Sequence, residues 1–190
     1  MNNKGHRTLV TLALDAMPKR QSEFWEALRP EILRAYPWPD TYAIQLLRNQ
    51  RGPWRRYFPA KQLKYNFEQS GRTVRSFLPE SSFYVKNVIQ NLRQGDLLEA
   101  ARFAGVYSHY IADFAEPAHY YELDIGRLLP PPADRLNCEY HRMIEDIDCT
   151  VESMCYRPRL LGFSEGEMIF RLESRFNSLY ALSVATVIPM

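Results

Sequence analysis

The apolar positions of this chain recur at three- and four-residue intervals, the spacing of one face of a helix, and no two segments alternate as a strand pair would. Residues 7–17, Arg-Thr-Leu-Val-Thr-Leu-Ala-Leu-Asp-Ala-Met, read as a buried helix that Pro18 ends. Over 22–35, Phe24, Trp25, Leu28, Ile32 and Leu33 fall on one stripe, and Pro30 within it predicts a kink or two short helices. Ser81 and Ser82 open an amphipathic helix over 81–94 that Gly95 stops. Asp96-Leu-Leu-Glu99 has the form of a capping box and starts a helix running to about residue 115. Pro130-Pro131-Pro132 mark a loop over 125–134, and a further helix is expected over 135–155. Ser164-Glu-Gly-Glu167 caps a last helix to about residue 187, with Ile169, Phe170, Leu172, Phe176, Leu179, Leu182 and Val184 expected in the core. The pattern predicts an all-α fold, a multi-helix bundle in a single domain over 1–190, with no repeats.

Composition narrows the class without deciding it. A chain of 190 residues that is 46% hydrophobic and 24% charged is an ordinary globular chain with room for one substantial core. A net charge of +2 is too small to argue for nucleic acid or an anionic membrane. No apolar run approaches the length of a spanning helix. The start, Met-Asn-Asn-Lys, has no apolar signal region, so a cytoplasmic location is expected if Met1 is the native start and a secreted one if a leader was removed. Cys138, Cys149 and Cys155 lack zinc-knuckle spacing and read as reduced thiols, although one pair could bridge.

The chemistry gathers in His109-Tyr-Ile-Ala-Asp113-Phe-Ala-Glu-Pro117-Ala-His119 and in His141-Arg-Met-Ile-Glu145. His109 and Asp113, like His141 and Glu145, are four residues apart and project from one helix face. Pro117 ends or kinks the first helix and frees His119 to reach a second position. One His/Asp pair at this spacing is ordinarily only a hydrogen-bonded or solvated pair. Two pairs and a third His, in a chain with four histidines, assemble nitrogen and oxygen donors of the kind zinc takes.

At these residues the chain resembles the zinc-dependent phospholipases C and the related fungal-type single-strand nucleases. Their shared pattern is His-x3-Asp-x5-His with Pro two residues before the last His, then His-x3-Glu or His-x3-Asp on another helix. Here His109, Asp113, Pro117, His119, His141 and Glu145 keep that order and spacing. The family's first residue binds metal through its amino group and carbonyl, with Gly-His soon after, which points to Met1 and to Gly5-His6. Trp38-Pro-Asp40 is similar to the family's Trp-x-Asp ligand. One departure stands out. Where the family carries another His after that Asp, this chain reads Pro53-Trp-Arg-Arg56-Tyr57-Phe58, and arginine has no lone pair to offer a metal.

The resemblance implies two or three zinc ions. One would be held by His119, His141 and Glu145; a second by the Met1 amino group, His6 and Asp113; a third, short of its His, by Asp40 and His109 with Asp113 bridging. It further implies hydrolysis of a phosphodiester, with Asp40 orienting or deprotonating the attacking water. Glu145, where the nucleases often have Asp, favours a phospholipid over nucleic acid as substrate. Capping alone would also explain Asp40, ahead of a helix expected over 41–48. The basic and aromatic stretch 48–65 reads first as a solvated loop and second as a phosphate-holding rim that includes Arg56 and Tyr57. A degenerate, non-catalytic zinc-binding member, a single-strand nuclease and a non-catalytic single-strand binder are the alternatives. Transient contact with a membrane surface is compatible with the first reading, and the oligomeric state is left open.

Overall fold

A computed structural model describes residues 4–42, 52–59, 80–115 and 161–187. Among them lie six α-helices, a helical turn over 38–42, a 3₁₀ turn at Pro53–Tyr57, and no strand. The fold is all-α. The helices are α1 (Lys4–Asp15), α2 (Lys19–Glu26), α3 (Arg29–Ala35), α4 (Ser81–Gln94), α5 (Leu97–Ala115) and α6 (Glu165–Val187). The expected loop over 125–134 and helix over 135–155 lie outside the described residues, as do all three cysteines.

Local signals account for most of the boundaries. Pro30 divides the apolar stripe into α2 and α3 and occupies the first turn of α3, where its missing amide costs nothing. Gly95, at φ 77°, ends α4 in the left-handed conformation, and the Asp96 amide donates back to the Asn91 carbonyl at 2.9 Å. Asp96 then caps α5, its Oδ1 accepting from the Glu99 amide at 3.1 Å. At α6 the capping is reciprocal: Ser164 Oγ accepts from the Glu167 amide at 3.2 Å, and Glu167 Oε2 accepts from the Phe163 amide at 3.0 Å.

Among the described elements α5 is central, packed against α3 and α4, with α1 and α6 adding further contacts. Its Ala101 and Gly105, four residues apart, let α3 approach closely. A Cβ added at Gly105 would meet the Ile32 carbonyl oxygen at 2.5 Å and Ala35 Cβ at 3.0 Å, so only glycine permits that separation. The α4 side is aromatic: Tyr84 stacks on Tyr107 with centroids 5.1 Å apart, and the Tyr107 hydroxyl donates to Ser81 Oγ at 2.9 Å. Burial of the Tyr107 phenol raises its pKa, which keeps it a donor.

Four expectations require correction. The helix expected over 7–17 begins at Lys4 and is amphipathic; Val10 and Leu14 are buried but Leu9 is exposed. Phe24 lies outside the apolar stripe and is exposed, because α2 is a surface helix with no fully buried residue. Phe170 is 69% exposed; α6 buries Phe176 and leaves only part of Ile169, Leu172 and Leu179 in contact with the core. Asp40 does not cap a helix at 41, since the backbone is already helical from 38 and Thr41 donates to the Pro37 carbonyl.

Candidate metal centre

His109 lies in the C-terminal half of α5 and is 1% exposed. The four-residue spacing brings Asp113 onto its face, with Oδ2 3.1 Å from His109 Nε2. The third group comes from elsewhere in the chain. The helical turn over 38–42 follows α3 directly, and its Asp40 Oδ1 lies 3.4 Å from the same Nε2. Asp113 is buried, whereas the Asp40 side chain is 35% exposed. Tyr36, the residue after α3, lines the imidazole with its ring centre 6.4 Å away.

Burial by itself would lower the His109 pKa by disfavouring the imidazolium. The adjacent Asp113 and Asp40 carboxylates outweigh it and hold the pKa well above the usual histidine value. The same nitrogen is therefore the atom that a cation facing both carboxylates would claim from the proton. Zinc–donor distances of about 2.0–2.2 Å in tetrahedral geometry set neighbouring donors about 3.4 Å apart. The two Nε2–oxygen separations fall near that spacing, and the donors are of the kind that zinc takes. They do not close a shell: among the described residues no group of three or more His, Cys, Asp or Glu side chains is disposed to hold an ion.

Arg56 and Tyr57 belong to a different cluster. The Arg56 Nη2 donates to Glu99 Oε1 at 2.8 Å, and the Tyr57 hydroxyl donates to the two oxygens of the same carboxylate at 2.9 and 2.8 Å. Arg102 donates to both Glu99 and Glu31, and Arg34 also donates to Glu31. Glu99 stands ten residues before His109 on α5, which is about 15 Å along the axis. The chain thus brings Asp40, His109 and Asp113 together and places Arg56 and Tyr57 at the other end of the helix.

The pattern that brought these residues together has a match among known families. A family described as zinc-dependent phospholipase C matches residues 5–143. The chain belongs to the zinc-dependent phospholipase C family. Membership supports a zinc-dependent, phospholipase C-like function and a lipid as substrate. No curated protein and no solved structure matches the chain. No helix among the described residues is long and apolar enough to cross a membrane.

The matched span includes His6, Asp40, His109, Asp113, His119 and His141, and stops two residues short of Glu145. Residue 6 falls in the first turn of α1; Met1, His119, His141 and Glu145 lie outside the described residues. Two features of this zinc-dependent phospholipase C relative escaped sequence reading. Glu99 was legible only as a capping residue, although its carboxylate gathers Arg56, Tyr57 and Arg102. Trp54, seen only as part of a basic aromatic stretch, stacks on Tyr42 with centroids 4.4 Å apart and planes 10° from parallel. Apart from the Glu99–Arg102 pair, three residues apart on α5, these contacts have no spacing signature, because they join separate segments of the chain.

Proposed function

We propose that the protein is a zinc-dependent phosphodiester hydrolase that cleaves a phospholipid at its headgroup ester, with Asp40, His109 and Asp113 as part of its metal centre. The observation that carries this reading is the convergence of the Asp113 and Asp40 carboxylates on Nε2 of the buried His109, in a chain of the zinc-dependent phospholipase C family. Met1, His6, His119, His141 and Glu145 complete the proposed ligand set, for two or three zinc ions. When bound, zinc would neutralise phosphate oxygens and lower the pKa of a nearby water.

The chain's own groups divide the remaining work by burial. His109 and Asp113 are closed off from solvent and serve to hold. Asp40 is open to solvent by about a third, so it is the carboxylate able to orient the attacking water and take its proton. Arg56 and Tyr57, paired with Glu99 about 15 Å along α5 from His109, are given no part at a phosphate held by the metals.

Hydrolysis of a phospholipid in mixed micelles tests the reading, run beside single-stranded DNA and repeated after chelation and zinc addition. The expected result is diacylglycerol and a phosphorylated headgroup released only with zinc. Cleavage of DNA alone would transfer the site to nuclease chemistry. Zinc bound with neither activity would favour the non-catalytic reading, which rests on Arg56 standing where a metal-binding His is expected and pairing instead with Glu99.

A further inference from the structure

We infer that Trp54 is a positioning residue for Asp40, holding the turn that carries it at the distance from α5 that a shared metal requires. The inference rests on the proposed role of Asp40 as a ligand. Asp40 sits between Trp38 and Tyr42 in one helical turn. Positions 38 and 42 share a face, and position 40 projects from the opposite one. On their shared face, Trp54 stacks against Tyr42 at 4.4 Å and packs on Trp38 at 4.7 Å. The indole therefore clamps the back of the turn whose front carries the carboxylate.

The clamp is itself fixed to α5 and α4. Trp54 belongs to the 3₁₀ turn Pro53–Tyr57, which starts after Gly52 at φ 142°. That turn is closed by the Arg55 guanidinium donating to the Phe58 carbonyl. Tyr57 anchors it twice, through its hydroxyl on Glu99 of α5 and through its carbonyl, which accepts from the Tyr84 hydroxyl of α4 at 3.1 Å. Tyr57 also packs between Trp38 at 5.0 Å and Phe103 at 4.9 Å. A path of packed rings thus runs from Phe103 of α5 through Tyr57 to Trp38 on the turn of Asp40, Trp54 braces Trp38 and Tyr42 together, and Asp40 closes the circuit at His109 on the same α5. Without the indole, the turn would keep its Trp38 contact with Tyr57 but lose the brace across Trp38 and Tyr42, and the third-exposed carboxylate would be held less closely at its distance.

The test is competitive zinc titration against a chromophoric chelator for wild type, Trp54→Ala, Trp54→Phe, Asp40→Asn and the Trp54→Ala/Asp40→Asn double variant, with helix content and melting recorded in excess chelator. Trp54→Ala should weaken the most weakly held zinc by about tenfold while helix content in chelator stays at the wild-type level. Trp54→Phe, which keeps a ring in place, should restore affinity to within about twofold. The double variant should bind no more weakly than Asp40→Asn alone, since Trp54 acts only through Asp40. If Trp54→Ala does not fold, Trp54→Leu carries the same comparison with apolar volume kept. Wild-type affinity in Trp54→Ala or Trp54→Leu, or a loss that adds in full to that of Asp40→Asn, would overturn the inference and leave the metal centre standing. Wild-type protein that takes up no zinc would overturn both.

Discussion

Asp40 Oδ1 approaches His109 Nε2 to 3.4 Å from a helical turn separate from the helix that carries the imidazole. Asp113 supplies the other carboxylate at 3.1 Å from one turn further along α5. The two contacts differ in kind. The His109–Asp113 pair is fixed by helix geometry, whereas the His109–Asp40 pair exists only if α3 and α5 pack at one separation. Much of the behaviour of the site should therefore be controlled from the α3–α5 interface.

Gly105→Ala tests that control. The added methyl would press on the Ile32 carbonyl at 2.5 Å, and a backbone atom cannot rotate away. The variant should lose about 1–3 kcal/mol in urea unfolding and bind its weakest zinc less tightly than wild type. Unchanged stability would mean that α3 moves away freely, and that the close approach does not set the site.

Tyr57→Phe and Arg56→His separate two of the three side chains that donate to Glu99. Tyr57 is buried and its phenol is kept protonated first by burial and then by Glu99, so loss of the hydroxyl should cost about 1–2 kcal/mol. Arg56 is more than half exposed, and its exchange should cost no more than about 1 kcal/mol. The zinc content of Arg56→His should equal that of wild type, since residue 56 faces Glu99 rather than His109. Extra zinc in Arg56→His, by elemental analysis, would place that position at the metal centre.

Glu31 provides a pH signature. Burial alone would raise its pKa, but hydrogen bonds from Arg102 and Arg34 outweigh burial and hold it below the ordinary carboxylate value. A carboxylate with a depressed folded pKa contributes stability that is complete above its unfolded pKa and lost as pH falls through the folded value. Glu31→Gln should therefore be less stable than wild type by about 1–3 kcal/mol near pH 7, and the gap should narrow as the pH drops below about 4.5. Urea midpoints measured from pH 7 downward check this. A gap that stays constant would show that the ionised pair adds nothing beyond packing.

Local rules made the helices legible and tertiary contacts hid the rest. Pro30, Gly95, Asp96 and Ser164 each act within a few residues, so the break in the second stripe and the ends of α4, α5 and α6 could be read directly. His109 and Asp113 were visible as a pair because a helix converts a spacing of four into adjacency. Asp40 remained divided between ligand and cap, since the capping rule sees only its sequence neighbours and the approach to His109 crosses from one helix to another. Phe170 obeyed the apolar pattern and still faces outward, because α6 lies on the side of the bundle and buries a narrower stripe than its sequence offers. The tie between Arg56 and Glu99 had no signature at all, as a long side chain can choose among distant partners.

The most direct measurement is zinc per chain by elemental analysis, on untagged protein freed of loose metal by dialysis, for wild type and Asp113→Asn. Asp113 is proposed to bridge two sites, so the account predicts two or three zinc ions in wild type and a larger loss in Asp113→Asn than in any other single ligand variant. No zinc in folded wild-type protein supplied with the metal, or a full complement in Asp113→Asn, would contradict a shared metal centre built on His109, Asp113 and Asp40.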